Sequence, residues 1–146
     1  MKHFNKIFLI LSLLFVFFSC NNPVKVTSIE IISGSYVYTG YDKNDVMITS
    51  GNFSINVKDS TEIIGSWNFH KVKDSNNYGP QYGNGNLIGR INDDKIWIGL
   101  NPNNADNNIE LIGSIKSNKL SGNWNYISFI GLTNSGKFVA VKVEGD

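Results

Sequence analysis

The chain has 146 residues, 41% hydrophobic and 17% charged, with a formal net charge of +1, which suits one globular domain. Arg90 is its sole arginine, so a generally basic nucleic-acid surface, which needs clustered lysine and arginine, is excluded. Cys20 is its sole cysteine, so no internal disulfide can form.

Residues 1–19 read as a secretory signal. Lys2 and Lys6 precede an apolar run from Ile7 to Phe18, broken only by Ser12. A basic start followed by a short apolar core is the pattern of an exported chain. The run falls short of the roughly 20 apolar residues that a transmembrane helix needs. An ordinary signal peptide or a short uncleaved anchor fits the same run. Phe17-Phe18-Ser19-Cys20 resembles the lipobox of bacterial lipoproteins, a likeness confined to the first twenty residues. Ser19 is the small residue expected before the cysteine, whereas Phe17 stands where leucine is usual. The resemblance implies cleavage before Cys20, lipidation of its thiol and usually acylation of the new amino group. Two or more acyl chains hold a protein stably on a membrane. The expected location is therefore the cell envelope, lipid-anchored to a bacterial membrane (the outer one in a Gram-negative cell), with the folded part outside the cytoplasm. Residues 20–27, polar and containing Pro23, form the lipidated cysteine and a tether. Loss of Lys2 and Lys6 takes the 13 basic side chains to 11, against 12 acidic ones.

Residues 28–146 read as one all-β domain. Eight strand-like segments follow one another: Ser28–Thr39, Val46–Val57, Glu62–Val72, Asn86–Asn92, Lys95–Asn101, Asn108–Ile115, Leu120–Phe129 and Lys137–Val143. The third and seventh repeat one pattern, Ile63-x-Gly65-x-Trp67-x-Phe69 and Leu120-x-Gly122-x-Trp124-x-Tyr126. Apolar residues at every second position mark strands with one buried face. Variants of the pattern recur as Gly34-x-Tyr36-x-Tyr38, Gly51-x-Phe53-x-Ile55, Leu87-x-Gly89-x-Ile91 and Leu111-x-Gly113-x-Ile115. Glycine weakens a strand interior, so its recurrence points to sharp sheet curvature or to room for a large neighbour. Inward glycines beside large aromatics suit a small closed barrel. Eight strands leave an interior wide enough for side chains or one small ligand. The expectation is an eight-stranded antiparallel up-and-down meander barrel.

Connections alternate in length. Lys58–Thr61, Asn92–Asp94 and Lys116–Lys119 are short; Gly40–Asp45, Lys73–Gly85, Pro102–Asn107 and Ile130–Gly136 are longer. In a meander the long loops then share one end and the tight turns the other. The tether enters at the tight-turn end, so an anchored Cys20 turns the long-loop end away from the membrane. Strand polarity places Tyr36, Tyr38, Trp67, Phe69, Trp124 and Tyr126 in the half of the interior nearer the long loops, with Tyr78 and Tyr82 on the loop 73–85. These eight aromatics are the candidate ligand-binding set. Their apolar bodies and hydrogen-bonding tips suit a small apolar or amphiphilic molecule, and a filled core is the alternative use of the same residues.

No catalytic signature is present. His70 is the only histidine after the signal, and its parity puts it outside the third strand, as a surface residue. Histidine- or cysteine-rich zinc sites lack their residues. Asp42, Asp45, Asp59, Asp74, Asp93, Asp94 and Asp106 fall in turns, which they commonly shape. The stretch Asn101–Asn108 is rich in oxygen donors of the kind that hold calcium, but it has one carboxylate and lacks the EF-hand pattern. Gly79-Pro80-Gln81-Tyr82-Gly83 leads into a strand, so phosphate-loop readings, which need a helix N-terminus, fail. No cofactor or metal is implied, and the chain reads as a non-enzyme. Trp97 and Ile88 have outward parity, the last strand is apolar on both faces, and an outward Trp97 beside that apolar outer face points to an oligomer or partner surface. The Trp97 face or loop 73–85 is thus a candidate surface for a protein partner.

Eight strands with Gly65-Ser66-Trp67 and Gly122-Asn123-Trp124 resemble the calycin group, small ligand-binding barrels that include lipocalins and avidins. The resemblance covers Ser28 to Val143 as architecture. Lipocalins carry Gly-x-Trp on the first strand, where this chain has Gly34-Ser35-Tyr36. Their Thr-Asp-Tyr turn and late arginine are absent, so no ligand or binding residue follows from it. Two readings remain open at this level: a ligand-binding lipoprotein barrel, or a filled barrel acting as an inhibitor or assembly accessory of the envelope. Small lipoprotein barrels that inhibit lysozyme have this general form.

Overall fold

The computed structural model describes residues 32–72, 81–104 and 106–144. The signal, Cys20, the tether, Tyr78 and Asp74 lie outside the described residues. The elements are β1 (Gly34–Tyr41), β2 (Met47–Lys58), β3 (Glu62–Lys71), β4 (Gly83–Asn92), β5 (Lys95–Gly99), β6 (Asn108–Lys116), β7 (Lys119–Ser128) and β8 (Gly131–Lys142). Each strand pairs antiparallel with the next, and β8 returns to β1, which closes the barrel in simple meander order. Closure leaves no free sheet edge, which removes the liability of an open sheet.

The alternation of the sequence becomes the inside and outside of this barrel. Ile63, Trp67 and Phe69 of β3 are buried while Ser66, Asn68 and His70 are exposed. Leu87 and Ile91 of β4, Ile96 and Ile98 of β5, and Ile109 and Leu111 of β6 complete the core. The recurrent glycines sit where strands press together. Gly113 and Gly122 pair directly across β6 and β7. A Cβ on Gly122 would run into the Ile112 carbonyl, and one on Gly113 into the Ser121 carbonyl. Each gap is closed by backbone, which cannot rotate away as a side chain can, so the strong local bend requires glycine at both positions.

Three boundaries differ from expectation, each for a physical reason. First, β8 begins at Gly131, so 130–136 is largely strand and a two-residue turn at Phe129-Ile130 joins β7 to β8. Asn134 and Gly136 pair with Tyr126 and Trp124 there. This ladder runs at the barrel rim, where little needs burying, so its sequence lacks apolar alternation. Second, β4 starts at Gly83, because Gly83 and Gly85 pair with Phe69 and Trp67 and Gly85 lies beside the Trp67 ring. Third, β1 starts only at Gly34 and runs on to Tyr41, so Ile32 and Ser33 are not strand. Ile32 is buried and its carbonyl accepts the Tyr36 hydroxyl at 2.6 Å.

The tight turns are those expected, at 59–61, 93–94 and 117–118, and they share the end at which β1 begins. Asp59, Asp93 and Ser117 adopt positive φ there, a conformation that short polar side chains tolerate. Three longer connections, 42–46, 72–82 and 100–107, share the other end with the Phe129-Ile130 turn. Asp42 shapes one of them, its Oδ1 accepting the backbone N–H of Asn44 at 2.8 Å and of Val46 at 2.9 Å.

Candidate functional site at the long-loop end

The two tryptophans of the repeated motif hold this end together in matching ways. Trp67 on β3 lies beside Gly85 of β4 and donates from Nε1 to the Leu100 carbonyl, just past β5, at 2.6 Å. Trp124 on β7 lies beside Gly136 of β8 and donates from Nε1 to the Tyr41 carbonyl, at the end of β1, at 2.7 Å. Each indole therefore passes over a glycine and fastens a strand end two strands away. The repeat is a pseudo-symmetric clamp on opposite sides of the barrel mouth. Both indole N–H groups are satisfied by backbone, as buried donors require.

Beneath the clamps the interior is filled by rings. Tyr38 stacks on Phe69 with centroids 4.1 Å apart and planes 9° from parallel. Tyr36 stacks on Phe53 at 5.3 Å. Trp67 meets Phe69 at 5.2 Å, and Phe138 closes on Tyr38 at 6.0 Å. Pairs at these separations add about 0.5–1.5 kcal/mol each beyond area burial. The Tyr38 hydroxyl donates to Gln81 Oε1 at 2.8 Å. Gln81, fully buried, thereby ties the end of the β3–β4 connection to the barrel centre. Burial pushes the Tyr36 hydroxyl up to about 12 and raises that of Tyr38 further, since the phenolate would lose its hydration. Thr49 Oγ1, on the inward face of β2 opposite Gly40, is buried and has no hydrogen-bond partner among the described residues.

Of the eight candidate aromatics, five are thus buried among one another: Tyr36, Tyr38, Trp67, Phe69 and Trp124. Tyr126 is half-buried, Tyr82 is 51% exposed, and Tyr78 lies outside the described residues. The structure brings an edge of Trp67 together with Tyr82 and Tyr126 around an open concavity of about 450 Å³. Among the described residues its remaining walls are Asn84, Asn101, Asn104 and Asn107, with Gly83 at one side. Gly83 has φ +108, and a Cβ there would meet nothing within 4 Å. The loop holds its own shape: Asn101 Nδ2 donates to the Asn107 carbonyl at 3.0 Å, and Asn108 Oδ1 accepts the Asn101 N–H at 3.0 Å. Lys71 Nζ lies 4.2 Å from the Tyr82 ring centroid.

Sequence reasoning missed the asparagines as pocket walls and Gln81 as the buried partner of Tyr38. The available signal was the amide-rich run 101–108 at the same end as the aromatics, which pointed instead toward oxygen donors for a cation. His70 is exposed on the outer wall. Trp97 does face outward, but it lies away from β8. Its cross-strand neighbours are Arg90 of β4 and Ile112 of β6, whereas the outer residues of β8 sit with β1, as in Val37 opposite Val141. Strand order in the closed barrel separates the two outer faces that the sequence had suggested were adjacent.

No protein-family model matches the chain, and neither does any curated protein. Solved structures do match. One is a rhizavidin–biotin complex, with a TM-score of 0.51 at 18% identity, covering 78% of this chain and 93% of that one. Another is a bradavidin2–biotin complex, with a TM-score of 0.51 at 14% identity, covering 74% and 95%. Together with the closed meander they define the architecture as a calycin-like, avidin-like eight-stranded barrel.

Proposed function

We propose that this is an exported, lipid-anchored barrel that binds a small amphiphilic molecule at its long-loop end, away from the membrane, without turning it over. The observation that carries the reading is the concavity where Trp67, Tyr82 and Tyr126 meet a rim of amides. Apolar ring faces beside convergent polar groups are the usual make-up of a small-molecule site. The avidin-like neighbours, both complexes with biotin, support a small ligand for a barrel of this architecture. The ring-filled interior moves the expected contact from the barrel centre to its mouth. Export and anchoring rest on Lys2, the apolar run to Phe18 and Cys20. Native mass spectrometry of protein purified gently from membranes should show a bound small molecule, and Tyr82→Ala should release it. A ligand-free spectrum from every preparation would count against the reading.

The second reading, an envelope protein-interaction module, is favoured by the outer wall. Ile88 and Ile112 are 42% and 44% exposed, and Trp97 stands between them beside Arg90. Tryptophan, arginine and isoleucine together resemble an interface hot spot. Trp97→Ala should then abolish an in vivo crosslink that Tyr82→Ala leaves intact.

A further inference from the structure

We propose that the mouth concavity is a saccharide site, taking a neutral, hydroxyl-rich ring; this rests on the reading that the long-loop end binds a small ligand. Three features of the walls select that class.

The first is charge. Among the described lining residues none carries a formal charge near neutral pH: they are aromatic, asparagine and glycine. Lys71 Nζ lies 4.2 Å from the Tyr82 ring centroid but is not among the described lining residues; a charged ligand would lose hydration against walls of rings and amides, a cost that favours neutral ligands.

The second is hydrogen-bonding capacity. Each side-chain amide offers two N–H donors and a carbonyl acceptor. Within the loop's own hydrogen bonds, Asn104 and Asn107 use backbone atoms: Asn104 N–H donates to the Asn101 carbonyl at 3.0 Å, and Asn107 N–H donates to the Asn104 carbonyl at 3.2 Å. Their side-chain amides, and that of Asn84, are uncommitted among the described residues. Vicinal hydroxyls, each both donor and acceptor, match paired amides. A purely apolar ligand would cover the amides and leave them unpaired, which costs their full desolvation. That cost would outweigh what the visible edge of Trp67 and two tyrosine rings return.

The third is shape. Tyr82 and Tyr126 offer ring surfaces, against which the C–H face of a sugar can pack while its hydroxyl edge meets the amides. Gly83, with open space above it, leaves room for that ring. The volume of about 450 Å³ lies within the roughly 300–1,000 Å³ of small-molecule sites.

The test is an NMR titration of the full chain in detergent micelles with glucose, N-acetylglucosamine and maltose, alongside N-phenyl-1-naphthylamine as a neutral apolar probe and glucuronate as a charged one. At least one neutral sugar should shift the side-chain amides of Asn84, Asn104 and Asn107 and the Trp67 indole N–H saturably. Tyr82→Ala and, separately, Asn84→Ala with Asn104→Ala should each weaken binding about tenfold or more, roughly 1.4 kcal/mol. These side chains are exposed, so unchanged backbone spectra will show that the fold survives. If the apolar probe alone moves these resonances, the saccharide class is wrong while the small-ligand site stands. If glucuronate binds as well as glucose, the charge argument is wrong. If no probe moves them, both this inference and the binding reading fall.

Discussion

Replacing Tyr38 by phenylalanine removes one oxygen from the centre of the barrel and leaves every ring in place. The stack on Phe69, 4.1 Å between centroids, needs no hydroxyl. What is lost is the 2.8 Å hydrogen bond to Gln81 Oε1, between two residues of 0% exposure. A buried acceptor deprived of a donor costs about 1–3 kcal/mol, partly offset because the tyrosine hydroxyl no longer has to be desolvated. The expected net loss is about 1–2 kcal/mol at pH 7, or roughly 4–8 °C in Tm for a domain of this size. The same substitution has an opposite effect in alkali. Burial raises the Tyr38 pKa above its unfolded value, so the folded state holds its proton more tightly than the unfolded state does. That contribution is fully present below about pH 10 and is lost as pH climbs beyond it. Tyr38→Phe deletes this source of alkaline instability. Urea denaturation at pH 7 and pH 11 should therefore show a deficit relative to the parent that shrinks or reverses at the higher pH. A double-mutant cycle with Gln81→Met should return a coupling of about 1 kcal/mol. No loss at pH 7, or the same deficit at both pH values, would refute the assignment of Tyr38–Gln81 as the central buried polar link.

Four further outcomes are expected. Thr49→Val replaces a buried, unpartnered hydroxyl with a methyl of the same shape, and should be neutral or stabilising by about 1 kcal/mol in thermal denaturation; a loss of that size would show that the hydroxyl has a partner. Gly122→Ala drives a Cβ into the Ile112 carbonyl and should cost about 1–3 kcal/mol or more, measured against Gly99→Ala, whose Cβ makes only ordinary contacts from 3.4 Å outward. Trp67→Phe removes the donor to the Leu100 carbonyl, and hydrogen exchange should speed up at the start of the 100–107 loop while the β1–β8 ladder keeps its protection. Cys20→Ser should abolish incorporation of labelled palmitate and release the protein from membranes; continued membrane attachment would count against the lipid anchor.

The strands themselves were legible because period-two burial is written in nearest neighbours. Ile63-x-Gly65-x-Trp67-x-Phe69 states which side faces in, and hairpin turns such as Asp93-Asp94 and Ser117-Asn118 leave a meander as the simplest arrangement. Closure followed from counting strands and from glycines whose presence needed a bend. Where burial pressure fades, the signal fades with it: Gly83–Gly85 and 131–136 are strand because they pair with Trp67–Phe69 and Trp124–Ser128 of the neighbouring strands. The tertiary structure alone decided which aromatics meet open space. Parity assigns Trp67, Trp124 and Tyr126 alike to the inside, yet only an edge of Trp67 and part of Tyr126 reach the mouth. Depth along the barrel, and the carbonyls that clamp each indole, depend on strands two places away. In the same way the asparagines of 101–107 read as oxygen donors until the fold lines one concavity with them and Tyr82. A side chain's face is fixed by its own strand, but what it touches there is fixed by partners distant in sequence, and a binding site is made of those partners.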